Sequence, residues 1–155
     1  MNKTSILLCS LLGIATSALA QGPVYSVNIV GIQKTQIDPG SLQLLGTPFN
    51  IATQNINQVM GQQLTTGFGT GTGDAVFFWT GSAYKSYFRL TPVGDPRDNQ
   101  WIDESGNLAT DPVPPGVGFW VKNNQVDGQE VAMVGEVELR ATVTKQINPG
   151  LQIVT

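Results

Sequence analysis

Val131-Ala132-Met133-Val134-Gly135-Glu136-Val137-Glu138-Leu139-Arg140-Ala141-Thr142-Val143-Thr144-Lys145-Gln146-Ile147 is the stretch that decides the fold. Val131, Met133, Val137, Leu139, Ala141, Val143 and Ile147 fall on one face. Glu136, Glu138, Arg140, Thr142, Thr144 and Gln146 fall on the other. A period of two is that of a half-buried strand, and Gly135 reads as a bulge or bend in what is otherwise an overlong one.

Outward from it the same grammar recurs. Tyr25 to Gln36, Leu42 to Thr47, Ala75 to Thr80, Ala83 to Leu90, Gln100 to Asp103 and Gly118 to Lys122 are short runs rich in β-branched and aromatic residues, separated by Pro and Gly. Thr80-Gly81-Ser82 reads as a hairpin turn. Helical periodicity is confined to residues 55 to 61, with Asn55 as the N-cap and Gly61 as the stop. The expected fold is all-β, an antiparallel sandwich or small open barrel of seven to nine strands with at most one short helix.

One string occurs twice. Gln36-Ile37-Asp38-Pro39-Gly40-Ser41-Leu42-Gln43-Leu44-Leu45 returns as Gln146-Ile147-Asn148-Pro149-Gly150-Leu151-Gln152-Ile153-Val154, with Ser41 as a single insertion. A reduced form is Pro115-Gly116-Val117-Gly118-Phe119-Trp120-Val121. Pro sets φ at the second position of a type II turn, Gly takes the positive φ of the third, and a strand follows. The expected division is a signal peptide over 1–20, a β domain over 21–138, and terminal strands over 139–155. Those strands either begin a second repeat or close the first domain, and the first alternative is favoured because Thr155 ends in mid-strand.

The N-terminus directs the chain out of the cytoplasm. Lys3 provides a positive start, Ser5 to Ala15 an apolar run too short to span a bilayer, and Ala18-Leu19-Ala20 a cleavage site. Cys9 leaves with the signal. The remaining 135 residues hold no His and no Cys, and removing Lys3 from the eight basic residues leaves seven against eleven acidic ones, a net charge of −4. No basic cluster marks a nucleic-acid or anionic-membrane surface, and no later segment reads as a membrane span.

Taken in order, the signal peptide, Tyr25-Ser26-Val27-Asn28-Ile29-Val30-Gly31, the Pro-Gly turn and strand, Phe78-Trp79-Thr80-Gly81, and Pro115-Gly116-Val117-Gly118-Phe119-Trp120-Val121-Lys122-Asn123 resemble a poorly characterised family of exported bacterial β-rich domains. That family is often repeated in tandem in surface or extracellular proteins. The resemblance implies a non-catalytic structural or adhesive module, with other copies of itself or a cell-surface polymer as partner. It brings no catalytic residue.

Without His or Cys, a Ser-His-Asp or Cys-His arrangement is excluded, as is an ordinary zinc, copper or haem site. Gly67-Phe68-Gly69-Thr70-Gly71-Thr72-Gly73 lacks the Lys and the helix of a phosphate loop and reads as a flexible loop. Asp95, Asp98, Asp103 and Glu104 surround Trp101. Paired carboxylates are what a glycosidase needs, but these sit in polar turns. These turns read first as ordinary solvated loops and no cofactor is expected; the exception is calcium, which oxygen-rich loops could bind weakly at extracellular levels through Asp95, Asp98, Asn99 and Asp103.

Nine of the twelve aromatic residues beyond the signal lie between Phe77 and Trp120, and alternation forbids them all one face. Phe119, Trp120 and Trp79 are expected in the core. Trp101, Tyr84 and Tyr87 are the candidates for exposed rings that stack on a glycan, the alternative function being a carbohydrate-binding module.

Overall fold

The computed structural model describes residues 29–51, 54–137, 144, 146–147 and 149–154. Among them are seven strands and one helix: β1 Val30–Ile37, β2 Leu42–Gly46, α1 Ile56–Met60, β3 Ala75–Trp79, β4 Tyr84–Arg89, β5 Trp101–Ile102, β6 Gly118–Lys122 and β7 Gln129–Glu136. The signal-peptide reading of 1–20, the start of the first expected strand, and most of the terminal strands lie outside the described residues.

All pairing between these strands is antiparallel. β1 and β7 form a two-stranded ribbon, and β2-β6-β3-β4-β5 form a second, open sheet. The architecture is therefore an all-β sandwich, with no closed barrel. Chain direction turns sharply where the sequence places Pro-Gly. Gly40 and Gly116 have φ of 65° and 77°, and the closing bonds run from Ser41 N to Asp38 O (3.2 Å) and from Val117 N to Pro114 O (3.1 Å). The first of these turns carries the chain from one sheet to the other.

Alternation sorts each strand into an inner and an outer set. Val131 and Met133 of β7 and Ile37 of β1 point inward from the ribbon. Phe119, Val121, Val76, Phe78, Tyr87 and Leu45 point inward from the open sheet, all buried. Phe78 lies 5.3 Å from Phe119 and edge-on to Tyr87 at 6.0 Å, centroid to centroid. α1 contributes Ile56, Val59 and Met60 to the same core. Asn55 Oδ1 accepts from Gln58 N, and the helix stops at Gly61, whose φ is 54°.

Gly135 is not a bulge. The β1–β7 register runs unbroken from Val30↔Glu136 to Ile37↔Gln129 and sets Gly135 directly opposite Gly31. The two glycines form a slot for Phe49: a Cβ on Gly31 would overlap its ring, and one on Gly135 would lie 2.7 Å from its Cβ. β7 ends at Glu136, where Asn50 pairs with it across its outer edge. Four residues further down that edge, the Gln63 amide mimics a strand, donating to Ala132 O (2.8 Å) and accepting from Ala132 N (2.6 Å).

The second copy of the repeated string lies against β6. Val154 bridges Val117, Gly118 N donates to Ile153 O (3.2 Å), and Trp79 Nε1 donates to Leu151 O (2.8 Å). The first copy supplies β2, which flanks β6 on its other side.

Candidate functional site

The outer set of the open sheet is the unusual one. Leu44, Trp120, Phe77 and Ser86 form one row in register across β2, β6, β3 and β4. Leu42 and Lys122 begin the next row, which continues into Ala75, Phe88 and Ile102, all buried. At the opposite end of the face Trp79 and Tyr84 are paired, their rings edge-on at 5.1 Å. Half of this face is thus covered and half is open. The open half holds a pocket of about 470 Å³ lined by Leu42, Phe77, Tyr84, Trp120 and Lys122. Leu42 and Tyr84 are 51% and 52% exposed.

Of the three rings expected to be free for stacking, only Tyr84 lies here. Trp101 is fully buried, its indole N–H donating to Gly61 O (2.8 Å) and its backbone N–H to Asn57 Oδ1 (3.1 Å). Tyr87 is on the inner set, and its hydroxyl donates to Asp111. Both are corrected to core positions. The reverse correction applies to Trp79 and Trp120, which belong to the outer face, while Phe119 is in the core as expected. The signal was present in Gly118-Phe119-Trp120-Val121-Lys122: period two puts Trp120 with Lys122 and Phe119 with Val121.

The four calcium candidates do not converge. Asp95 is committed to Arg97, which grips it through Nε (2.8 Å) and Nη2 (2.7 Å), and this guanidinium lowers the Asp95 pKa to about 2. Asp98 Oδ2 accepts from the backbone N–H groups of Val93, Gly94 and Asp95 at 2.7–3.1 Å. Asp103 is held down in pKa by the Asn107 N–H and amide and by Ser105 N–H. Asn99 Oδ1 accepts from Arg89 Nη2 (3.2 Å). Each carboxylate organises its own turn, and among the described residues no group of three or more His, Cys, Asp or Glu is placed to hold a metal ion.

The glycine-rich segment is also corrected, from a flexible loop to a tied one. Gly67 and Gly73 approach each other so closely that neither position has room for a Cβ. Thr70 N and Oγ1 donate to Glu104 Oε1 (3.1 and 2.6 Å), and Asn124 Nδ2 donates to Thr70 O and Gly73 O. Its base is pinned by Asp74, fully buried, which accepts from Thr65 N and Asn124 N (both 2.8 Å). Asn123, also fully buried, donates to Ile37 O and Asp127 O and so ties β6 to β1. Arg89, buried, donates to the carbonyls of Gln62, Gln63 and Leu64, and desolvation lowers its pKa. These three pins join residues far apart in sequence and escape any local pattern.

One cluster has the residue types of catalysis. Lys85 Nζ lies 2.8 Å from Asp111 Oδ2 and 5.3 Å from the centre of the Tyr87 ring, and the Tyr87 hydroxyl meets the same carboxylate. The hydrogen bond to Asp111 raises the Lys85 pKa, and burial pushes Tyr87 up to about 12. Near neutral pH both keep their protons, and the cluster ties β4 to the Asp111 loop.

No family model, no curated protein and no solved structure matches the chain. Fold and site define its class from within: an antiparallel sandwich that leaves half of one outer face open and aromatic. Among the described residues no helix is long and apolar enough to cross a membrane.

Proposed function

We propose that this chain is a non-catalytic structural or adhesive module of an exported protein, and that it attaches through the open half of the β2-β6-β3-β4 face. The observation that carries the reading is the in-register pair Trp120 and Phe77, which with Leu42 and Tyr84 line an open, almost wholly apolar pocket. Exposed apolar patches of this kind mark interaction surfaces, because leaving them in water forgoes about 25 cal/mol per Å² of burial. The export signal over 1–20 and the resemblance to exported bacterial domains support the same reading.

Cosedimentation with purified surface material of the source cell tests it. Wild-type protein is retained, and F77S/W120S is released while keeping a cooperative melt. Equal retention of both proteins, or of neither, rules the reading out.

Carbohydrate binding is the second reading, favoured by the convergence of Phe77, Tyr84 and Trp120 on one pocket. Lys122 and the Tyr84 hydroxyl would be its hydrogen-bonding groups. Soluble oligosaccharides that shift tryptophan emission in the wild type and leave Trp120→Ala unchanged would establish it; a flat titration removes it.

A further inference from the structure

β3 and β6 run together for three pairs only. Ala75↔Lys122, Val76↔Val121 and Phe77↔Trp120 are in register; β3 then stays with β4 as far as Trp79, and β6 still has Gly118 and Phe119 on that side. The edge left open there is filled by the second copy of the repeated string. Val154 bridges Val117, Gly118 N donates to Ile153 O (3.2 Å), and Trp79 Nε1 reaches across to Leu151 O (2.8 Å). β6 is thus flanked by the same string on both edges, yet the two copies are held very differently. The first, as β2, makes five register pairs and places Leu45 in the core at 4% exposure; the second leaves Leu151 and Val154 65% and 44% exposed.

We propose that this edge is a strand-acceptor slot, and that it also takes the 149–154 string of a second copy, two chains lending the string to each other. The slot offers main-chain positions of β6 and the Trp79 indole N–H. A string from another copy therefore makes every contact the chain's own string makes, and nothing is lost in the exchange. Opening is cheap, because an element that buries little apolar surface detaches at a small fraction of the global unfolding free energy. Length permits it as well: eleven residues, 138–148, lie between Val137 and the string, and extended they reach roughly 36 Å. The first copy has no such reach, since the tight Asp38–Ser41 turn ties it to β1. A reciprocal exchange has two-fold symmetry and closes at the dimer. The slot is separate from the open apolar pocket, and the inference does not rest on the adhesive reading.

Disulfide trapping tests this, on the full chain carrying Cys9→Ser so that the introduced thiols are the only ones. Val117 and Val154 are directly opposed, and the bond beside them runs from Gly118 N to Ile153 O; this is the close pair of an antiparallel ladder, within reach of a disulfide. V117C/V154C is expected to oxidise within one chain, which fixes the register of the slot. In an equimolar mixture of Val117→Cys and Val154→Cys chains, only exchange brings the two thiols together. That mixture is expected to yield a covalent heterodimer that grows with protein concentration, and each variant alone at least tenfold less dimer. An intramolecular disulfide in V117C/V154C with no heterodimer in the mixture overturns the exchange and leaves the string a fixed strand of its own chain. Absence of a disulfide from both overturns the slot itself. Single variants that crosslink as well as the mixture reveal random collision and overturn the exchange too.

Discussion

Trp101 and Trp120 show how one side chain serves two ends in this fold. Trp101 has no exposed surface, and its N–H is satisfied by Gly61 O; Trp120 borders an open pocket. Trp101→Ala is therefore expected to cost about 3–5 kcal/mol, from lost burial plus the cavity left behind. Trp120→Ala is expected to cost less than Trp101→Ala, since Trp120 is only half-buried and its truncation opens onto the pocket, so no closed cavity is left behind. Urea denaturation of the two variants checks the ranking, and a Trp120→Ala penalty equal to that of Trp101→Ala would place Trp120 in the core. Local pattern explains why one of these was legible and the other was not. β6 has five residues, enough for period two to separate Trp120 from Phe119. β5 has two, Trp101 and Ile102, too few to show a face, and the charged turns around it suggest exposure.

Among the elements, the β1–β7 ribbon is held by a contact no propensity scale contains. Gly31 and Gly135 face each other so that the Phe49 ring can lie against the backbone. Gly31→Ala is expected to destabilise by about 1–3 kcal/mol, the usual penalty of overpacking. In a Phe49→Ala background the same change costs little, a coupling that a double-mutant cycle on thermal or urea melts reads directly; additive penalties would mean the slot does not exist. The strands, the Asn55–Gly61 helix and the Pro-Gly turns were readable in the sequence because each is set by neighbours within a few positions. Gly135 was misread because a lone glycine in an alternating strand has two causes, a bulge or a close approach, and only the residue packed against it tells them apart. The pins at Asp74, Asn123 and Arg89 were unreadable for a related reason. Asp74 meets Asn124 fifty residues away, and a buried Asp looks in sequence like any turn Asp.

For the molecule as a whole, charge and pH give a further test. Asp95, Asp103 and Asp111 all titrate below the ordinary 3.8 when folded, Asp95 at about 2. The unfolded chain therefore takes up protons first as the pH falls, and the stability these groups contribute above about pH 4 is lost on the way down through their folded values. On the alkaline side the order reverses. Unfolded Tyr and Lys release protons near 10.0 and 10.5, while folded Tyr87 holds its own to about 12 and Lys85 is also raised, so stability falls as the pH climbs past 10. Between these limbs there is no His to titrate, and melting temperature is expected to be flat from about pH 5 to 9. A slope inside that window would point to a group not accounted for here. The open face belongs to this scale too: alternation divides the aromatics into two sets, but which set meets the other sheet is decided only when the sandwich closes. The most direct test of the account is retention on surface material for wild type and F77S/W120S, measured beside their melts. It predicts retention of the first and release of a folded second; a folded F77S/W120S retained as well as the wild type would contradict it.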